Sequence, residues 1–315
     1  MLKTKKFWVF TALVTVALGV LLIGIAWIAA GFHPSAFNTV HYERMETPIT
    51  ESYDKIVIDA LDCRVRILAP SSVSAFPDLQ EQKFDTPMLL SHDSEYMVTE
   101  AVVRDGTLYI TRTDNRPWYQ HIGIYFGDGN EGITLILDDL HFDALDVTTV
   151  SGDIWLMSEA EIKEVNFNTT SGEIYTSDMT AQQIAMSSVS GNMFLLRTSA
   201  DSISLKTVSG EIMAGALQCD TFKAESTSGD LSISGNVICG KATMKTVSGD
   251  VELKQFDAEN IHITTTSGDV EGTLSSGKKF SVTTNSGEID IPADTPGAGL
   301  CTVNTTSGDI EIEIE

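Results

Sequence analysis

The chain has 315 residues, 44 acidic against 20 basic side chains, a net charge of −24 and four cysteines. Such an acidic surface excludes a nucleic-acid partner, since phosphate backbones are held through Lys and Arg. It also excludes docking on anionic lipid by charge alone.

Lys3, Lys5 and Lys6 precede an uncharged, mostly apolar stretch, residues 7–30. That is long enough to span a bilayer. No Lys or Arg follows until Arg44. The positive-inside rule therefore expects residues 1–6 to be a basic cytoplasmic tail, residues 7–30 a single transmembrane anchor, and the rest extracytoplasmic. A cleaved signal peptide is the alternative, with Ala29 and Gly31 small enough for a cleavage site, but the length of the apolar core favours a retained anchor. The outer part holds all 44 acidic residues against 17 basic ones once the three lysines are set aside, a charge of −27. That suits a soluble, self-repelling rod. Residues 31–53 read as a polar stalk.

Residues 54–143 read as irregular N-terminal coils. In "IVIDALDCRVRI", Ile56, Ile58 and Val65 alternate with polar residues, so 54–68 is expected to be a degenerate first coil. "VVRDGTLYIT" reads as two strands about an Asp105-Gly106 turn, and "GITLIL" (132–137) as another strand. Between them, residues 115–132 concentrate Trp118, Tyr119, His121, Tyr125 and Phe126. This segment reads as an end cap or, functionally, as a contact surface for glycan or protein through Trp118, Tyr119, Tyr125 and Phe126.

From residue 144 to 315 the sequence repeats. Ser-Gly followed by Asp, Glu or Asn occurs nine times, with glycines at Gly152, Gly172, Gly191, Gly210, Gly229, Gly249, Gly268, Gly287 and Gly308. The spacings of 19–21 residues are the mark of a solenoid. Seven and five residues before each glycine, and two after it, every residue is apolar, as in Ile203, Leu205 and Ile212 around Gly210. That is the period-two alternation of a strand on each side of a corner. A looser apolar position marks the return segment: Met179, Leu217, Val237, Phe256 and Leu274.

The period is too short for a crossover helix. The expected fold is all-β: a parallel β-helix of about nine regular coils, right-handed by the general preference of parallel crossovers. Coils about 4.8 Å apart would make a rod on the order of 40 Å long. The Thr or Ser three residues before each glycine, such as Thr207 or Thr265, is expected to face inward and bond backbone. Cys219 and Cys239 fall at nearly the same phase of adjacent coils, so a disulfide and a pair of reduced core thiols both fit, while Cys301 takes an inward position. The closing "GDIEIEIE" reads as a charged open edge without a separate cap.

The residue after each glycine forms a nearly continuous acidic column: Asp153, Glu173, Asn192, Glu211, Asp230, Asp250, Asp269, Glu288 and Asp309. One carboxylate and one hydroxyl per coil fall short of the six to eight oxygens calcium takes. A solvated corner is therefore expected ahead of a weak cation edge. The serines lack partners for nucleophilic catalysis, since His262 is the single histidine of the repeats. Gly-x-Ser-x-Gly, HExxH, CxxC and phosphate-loop motifs are all missing. No catalytic residue, cofactor or metal is expected.

The recurrent "TTSGDI" and "TVSGEI" corners, the "DGTLYI" strand and the single N-terminal anchor resemble the bacterial β-strand repeat family of unknown function labelled "putative adhesin", which includes LiaG-like membrane proteins of Gram-positive bacteria. The likeness covers about residues 54–315. It implies a surface β-helix and, for some members, a link to envelope-stress gene clusters; it supplies no catalytic residues. The function expected is an anchored, non-catalytic, adhesin-like or envelope-associated scaffold whose partners are the membrane and an envelope protein or glycan. The alternatives are an accessory protein of an envelope-stress sensing system and a β-helix enzyme acting on polysaccharide. The short, even repeats disfavour the enzyme.

Overall fold

The computed structural model of the protein describes residues 2–33, 41–80, 82–84, 86–118 and 132–315. Helix α1 (Leu2–Ala29) carries no charge from Phe7 onward and is long and apolar enough to cross a membrane. The rest is β-structure: β1 (Glu43–Pro48), β2 (Lys55–Asp59), β3 (Arg64–Leu68), β4 (Met88–Asp93), β5 (Met97–Arg104), β6 (Thr107–Asp114), β7 (Gly132–Ile136), β8 (His141–Thr148), β9 (Ile154–Leu156) and β10 (Ala160–Asn168). Then come β11 (Ile174–Ser187), β12 (Met193–Lys206), β13 (Ile212–Glu225), β14 (Leu231–Lys245), β15 (Val251–Thr264), β16 (Val270–Leu274), β17 (Lys279–Thr283), β18 (Ile289–Asp290), β19 (Leu300–Asn304) and β20 (Ile310–Ile314).

The strands from β8 to β16 stack as in-register parallel coils. The apolar positions of the repeat fill the interior: Phe167, Leu205, Ile212 and Val251, with the return residues Met179, Leu217, Val237 and Phe256, are all buried in one continuous core. Each coil has corners that the sequence did not announce. The long strands bend at a column of left-handed residues: Asp178 (φ 60), Arg197 (φ 47), Ala216 (φ 54), Asn236 (φ 58) and Gln255 (φ 52). The ladder also passes over Gln182, Asp201 and Asp220. With the Ser-Gly corner, these breaks divide each coil into three short ladders.

Coil order departs from chain order at both ends. The coil of β2 and β3 lies between β6–β7 and β8–β9. At the other end, β19 and β20 pair on one side with β15 and β16 and on the other with β17 and β18. The final strands are therefore interior, and the coil of Gly287 ends the stack. This explains why Phe280 and Val282 are only partly buried and Ile289 is exposed, although they occupy positions buried in every other repeat. It also corrects the expectation of an open edge at "IEIEIE". The loop 291–299 caps the end instead: Asp294 accepts from the Phe280 N–H at 2.8 Å, and the Thr295 N–H donates to the Lys278 carbonyl at 2.9 Å.

The N-terminal end is closed by antiparallel strands. β5 pairs with β6, β4 with β7, and β1 with β4. Residues 43–48, read from sequence as part of a stalk, are thus a strand of this cap. A short 3-10 turn (Pro70–Ala75) and the segment after it cover the outer side of β3 and β7, burying Leu68, Val73, Phe76, Leu79, Leu90 and Ile136 in a second small core. Arg66 ties this insert down. It is 4 % exposed, donates to both Asp78 oxygens (3.0 and 2.7 Å) and to Thr134 Oγ1 (2.9 Å), and lies over the Phe76 ring.

Candidate interaction surfaces

The Ser-Gly corners form one column. An added Cβ on Gly172, Gly191 or Gly210 would stand 1.9, 1.7 or 2.0 Å from the carbonyl oxygen of the corner glycine one coil below. None of the nine corner glycines has a left-handed φ. Glycine is there because the backbones of successive corners touch, and its conformational freedom is not used. The inward Thr or Ser completes the corner. At Gly152, Gly172, Gly191, Gly210, Gly229, Gly249, Gly268 and Gly308 the glycine N–H donates to the hydroxyl three residues earlier, at 2.8–3.2 Å.

The residue after the glycine bonds the next coil. Oδ1 of Asp153, Asn192, Asp230, Asp250, Asp269 and Asp309 accepts from the backbone N–H of the equivalent residue one coil on, at 2.8–3.1 Å. Among the described residues, Glu173 and Glu211 make no such bond. The short Asx side chain turns back to the backbone one rung away; the extra methylene of Glu carries its carboxylate outward. Solvation is thus only part of the role of this column, since one oxygen of each Asx is engaged with protein. No group of three or more His, Cys, Asp or Glu arranged to hold a metal occurs among the described residues.

Cys219 and Cys239 are in-register neighbours on β13 and β14, with Sγ atoms 3.0 Å apart, and both are free thiols. They share an inward column with Ala200 and Ala258. Cys63 occupies the corner position of the β2–β3 coil, where its carbonyl meets Gly152. Burial pushes the Cys63 thiol up to about 11 and the Cys301 thiol up to about 12. Both therefore stay protonated at neutral pH, unsuited to nucleophilic work.

Of the aromatic segment singled out by sequence, Trp118 is 77 % exposed, while Tyr119, His121, Tyr125 and Phe126 lie outside the described residues. The structure brings together a different aromatic set, absent from the sequence reading. Three residues after the corner glycines, Trp155, Tyr175, Phe194 and Met213 stand in register on four successive coils, pointing outward and partly exposed. The Tyr175 and Phe194 centroids are 5.9 Å apart with the rings tilted by 35°. The signal was available in the glycine alignment, at the one outward position where bulky residues follow each other. Past the left-handed corner lies a groove of about 740 Å³, whose lining includes Ser158, Gln218, Asn236 and the paired Asp178 and Arg197.

No curated protein matches the chain. Among solved structures, it is similar to a "putative adhesin" from Parabacteroides merdae (TM-score 0.48, 12 % identity, 88 % of this chain and 98 % of that one). It is similar also to a "putative adhesin" from Bacteroides fragilis (0.46, 12 %, 86 % and 97 %) and a "putative lipid binding protein" from Parabacteroides distasonis (0.45, 18 %, 88 % and 98 %). Residues 89–253 and 195–315 match the Toastrack DUF4097 family, and the stacked Ser-Gly corners lie in these two spans. With well over half of its length matched, the chain belongs to the Toastrack DUF4097 family.

Proposed function

We infer that the protein is a membrane-anchored extracytoplasmic β-solenoid that acts by binding, as an adhesin-like or envelope-associated scaffold, without catalysis. One observation carries this reading: the coils follow one another with short corners whose polar groups bond within the stack. The hydroxyls, amides and Asx carboxylates of the Ser-Gly column hold adjacent coils together, and no long loop rises over a face between residues 144 and 275. Depressed-pKa carboxylates such as Asp178 owe their shift to an ion pair with Arg197, which is structural electrostatics. What varies from coil to coil is the outward side chain, as expected of a frame that presents a surface. The apolar part of α1, with three lysines in the first turns of the helix, supports an anchor with the solenoid outside.

The test is topology in intact cells. A chain tagged after Glu315 is expected in the membrane fraction, released by detergent and retained through carbonate washing, with the tag cleaved by protease added outside. A tag protected until cells are lysed would overturn the orientation, and release by carbonate would overturn the anchor.

A further inference from the structure

The outward aromatic stripe lies two residues beyond the corner column, on the same side of the strand. Three successive coils therefore present a polar or acidic side chain and a ring as neighbours: Asp153 with Trp155, Glu173 with Tyr175, Asn192 with Phe194. On the first of these rungs the chain supplies the occupant itself. Arg64 follows the corner residue Cys63 of the preceding coil, at the place where the other coils carry Asp, Glu or Asn. Its guanidinium lies 4.6 Å from the Trp155 ring centroid, and its Nε is 3.3 Å from Asp153 Oδ2. A cation is thus held between a carboxylate and an aromatic face, gaining from both. The next rungs repeat the ring beside a polar side chain, but no basic residue stands at the corner below them. The carboxylate of Glu173 is exposed and unused by the stack.

We propose that the rung of Glu173–Tyr175, with Phe194 on the next coil as a second ring, binds arginine side chains of an extended basic peptide, the guanidinium between Glu173 and Tyr175 being taken as Arg64 is taken on the rung before. Charge complementarity favours this occupant: the part of the chain beyond residue 30 carries 44 acidic against 17 basic residues, so cations are drawn toward its surface. A neutral glycan would use the rings without needing Glu173. The proposal deepens the reading of the solenoid as a binding frame and rests on it.

Detergent-solubilised full-length chain is titrated calorimetrically with a short alternating Arg-Ser peptide and with the same peptide carrying citrulline in place of arginine. The arginine peptide binds and the citrulline peptide binds at least about tenfold more weakly, since the cationic part of the contact is gone. Glu173→Gln weakens arginine-peptide binding about fivefold, and Tyr175→Ser combined with Phe194→Ser about tenfold. Asp250→Asn with Asp269→Asn, on remote coils, leaves it within about twofold, because diffuse charge is screened by salt. Glu173→Gln alters an exposed side chain and keeps the test open if the ring variant fails to fold. Absence of binding, equal binding of the citrulline peptide, or equal weakening by remote and stripe variants overturns the proposal. Surface display is read separately by external protease, so a displayed chain that ignores the peptide refutes the stripe and leaves the anchor standing.

Discussion

Gly210 is fixed by a neighbour one coil away. Its added Cβ would sit 2.0 Å from the Gly191 carbonyl oxygen, a backbone atom that cannot swing aside. Gly210→Ala is expected to cost about 1–3 kcal/mol through overpacking, read as a lowered urea midpoint with unchanged slope. Thr207→Val removes the acceptor of the Gly210 N–H and is expected to cost about 1–3 kcal/mol by leaving a buried donor unsatisfied. The corner acids make a finer distinction. Asp250→Asn keeps the acceptor for the Asp269 N–H, as Asn192 does for Glu211, and is expected to be neutral in thermal melting, whereas Asp250→Ala costs about 1 kcal/mol. The glycine, the inward hydroxyl and the column of acids were all legible from their recurrence. The reason for glycine was not, since close approach between coils is a property of the stack that no single repeat contains. The Asx bond is hidden for the same reason, since it needs the register of two coils, whereas the aromatic stripe is legible in the alignment of the glycines, three residues after each.

At the scale of elements, the regular strands follow from alternation, while the insert and the cap do not. Nothing periodic marks residues 69–88, yet they bury a small core and hold Arg66 against Asp78. Asp78→Asn leaves a buried guanidinium with weakened compensation, at an expected cost of about 3 kcal/mol. Burial raises the Asp78 carboxyl, but the hydrogen bonds and charge of Arg66 outweigh it and hold the group below its usual value of 3.8. A folded-state value depressed in this way contributes stability above the unfolded value and loses it as pH falls through the folded one. The melting-temperature gap between wild type and Asp78→Asn is therefore expected to be full at neutral pH and to close below about pH 4. A gap that stays constant into strong acid would show that the ion pair is not its source. The same local irregularity hid β1 within the segment read as a stalk: "ERMETP" has no apolar face, and it is a strand only because β4 offers it an edge.

At the scale of the molecule, the end order was the least legible feature. The repeats around Gly287 and Gly308 carry interchangeable patterns, so nothing in their alternation says which one stacks on Gly268. The longer spacing between them, with Pro292, Pro296, Gly297 and Gly299 in the connection, is the trace of a crossing loop. Placing the C-terminal strands inside the stack leaves β17 and β18 dependent on β19 and β20. Removal of residues 300–315 is expected to expose 276–299 to limited proteolysis, while removal of everything after Ser275 ends the stack cleanly at a paired coil.

One unbroken column of corners, stacked in that order, underlies every feature above, and short-range thiol crosslinking reads it directly. Glu271 and Glu311 are outward, exposed and in register. Asp290 lies one coil further, paired to Glu311. In a background without the native cysteines, Glu271→Cys with Glu311→Cys is expected to crosslink efficiently with a reagent about 5 Å long, the spacing of adjacent strands. Glu271→Cys with Asp290→Cys, separated by two such spacings, is expected to remain uncrosslinked. The reverse outcome, with Glu271 reaching Asp290 and missing Glu311, would mean that the coils stack in chain order and would contradict the account.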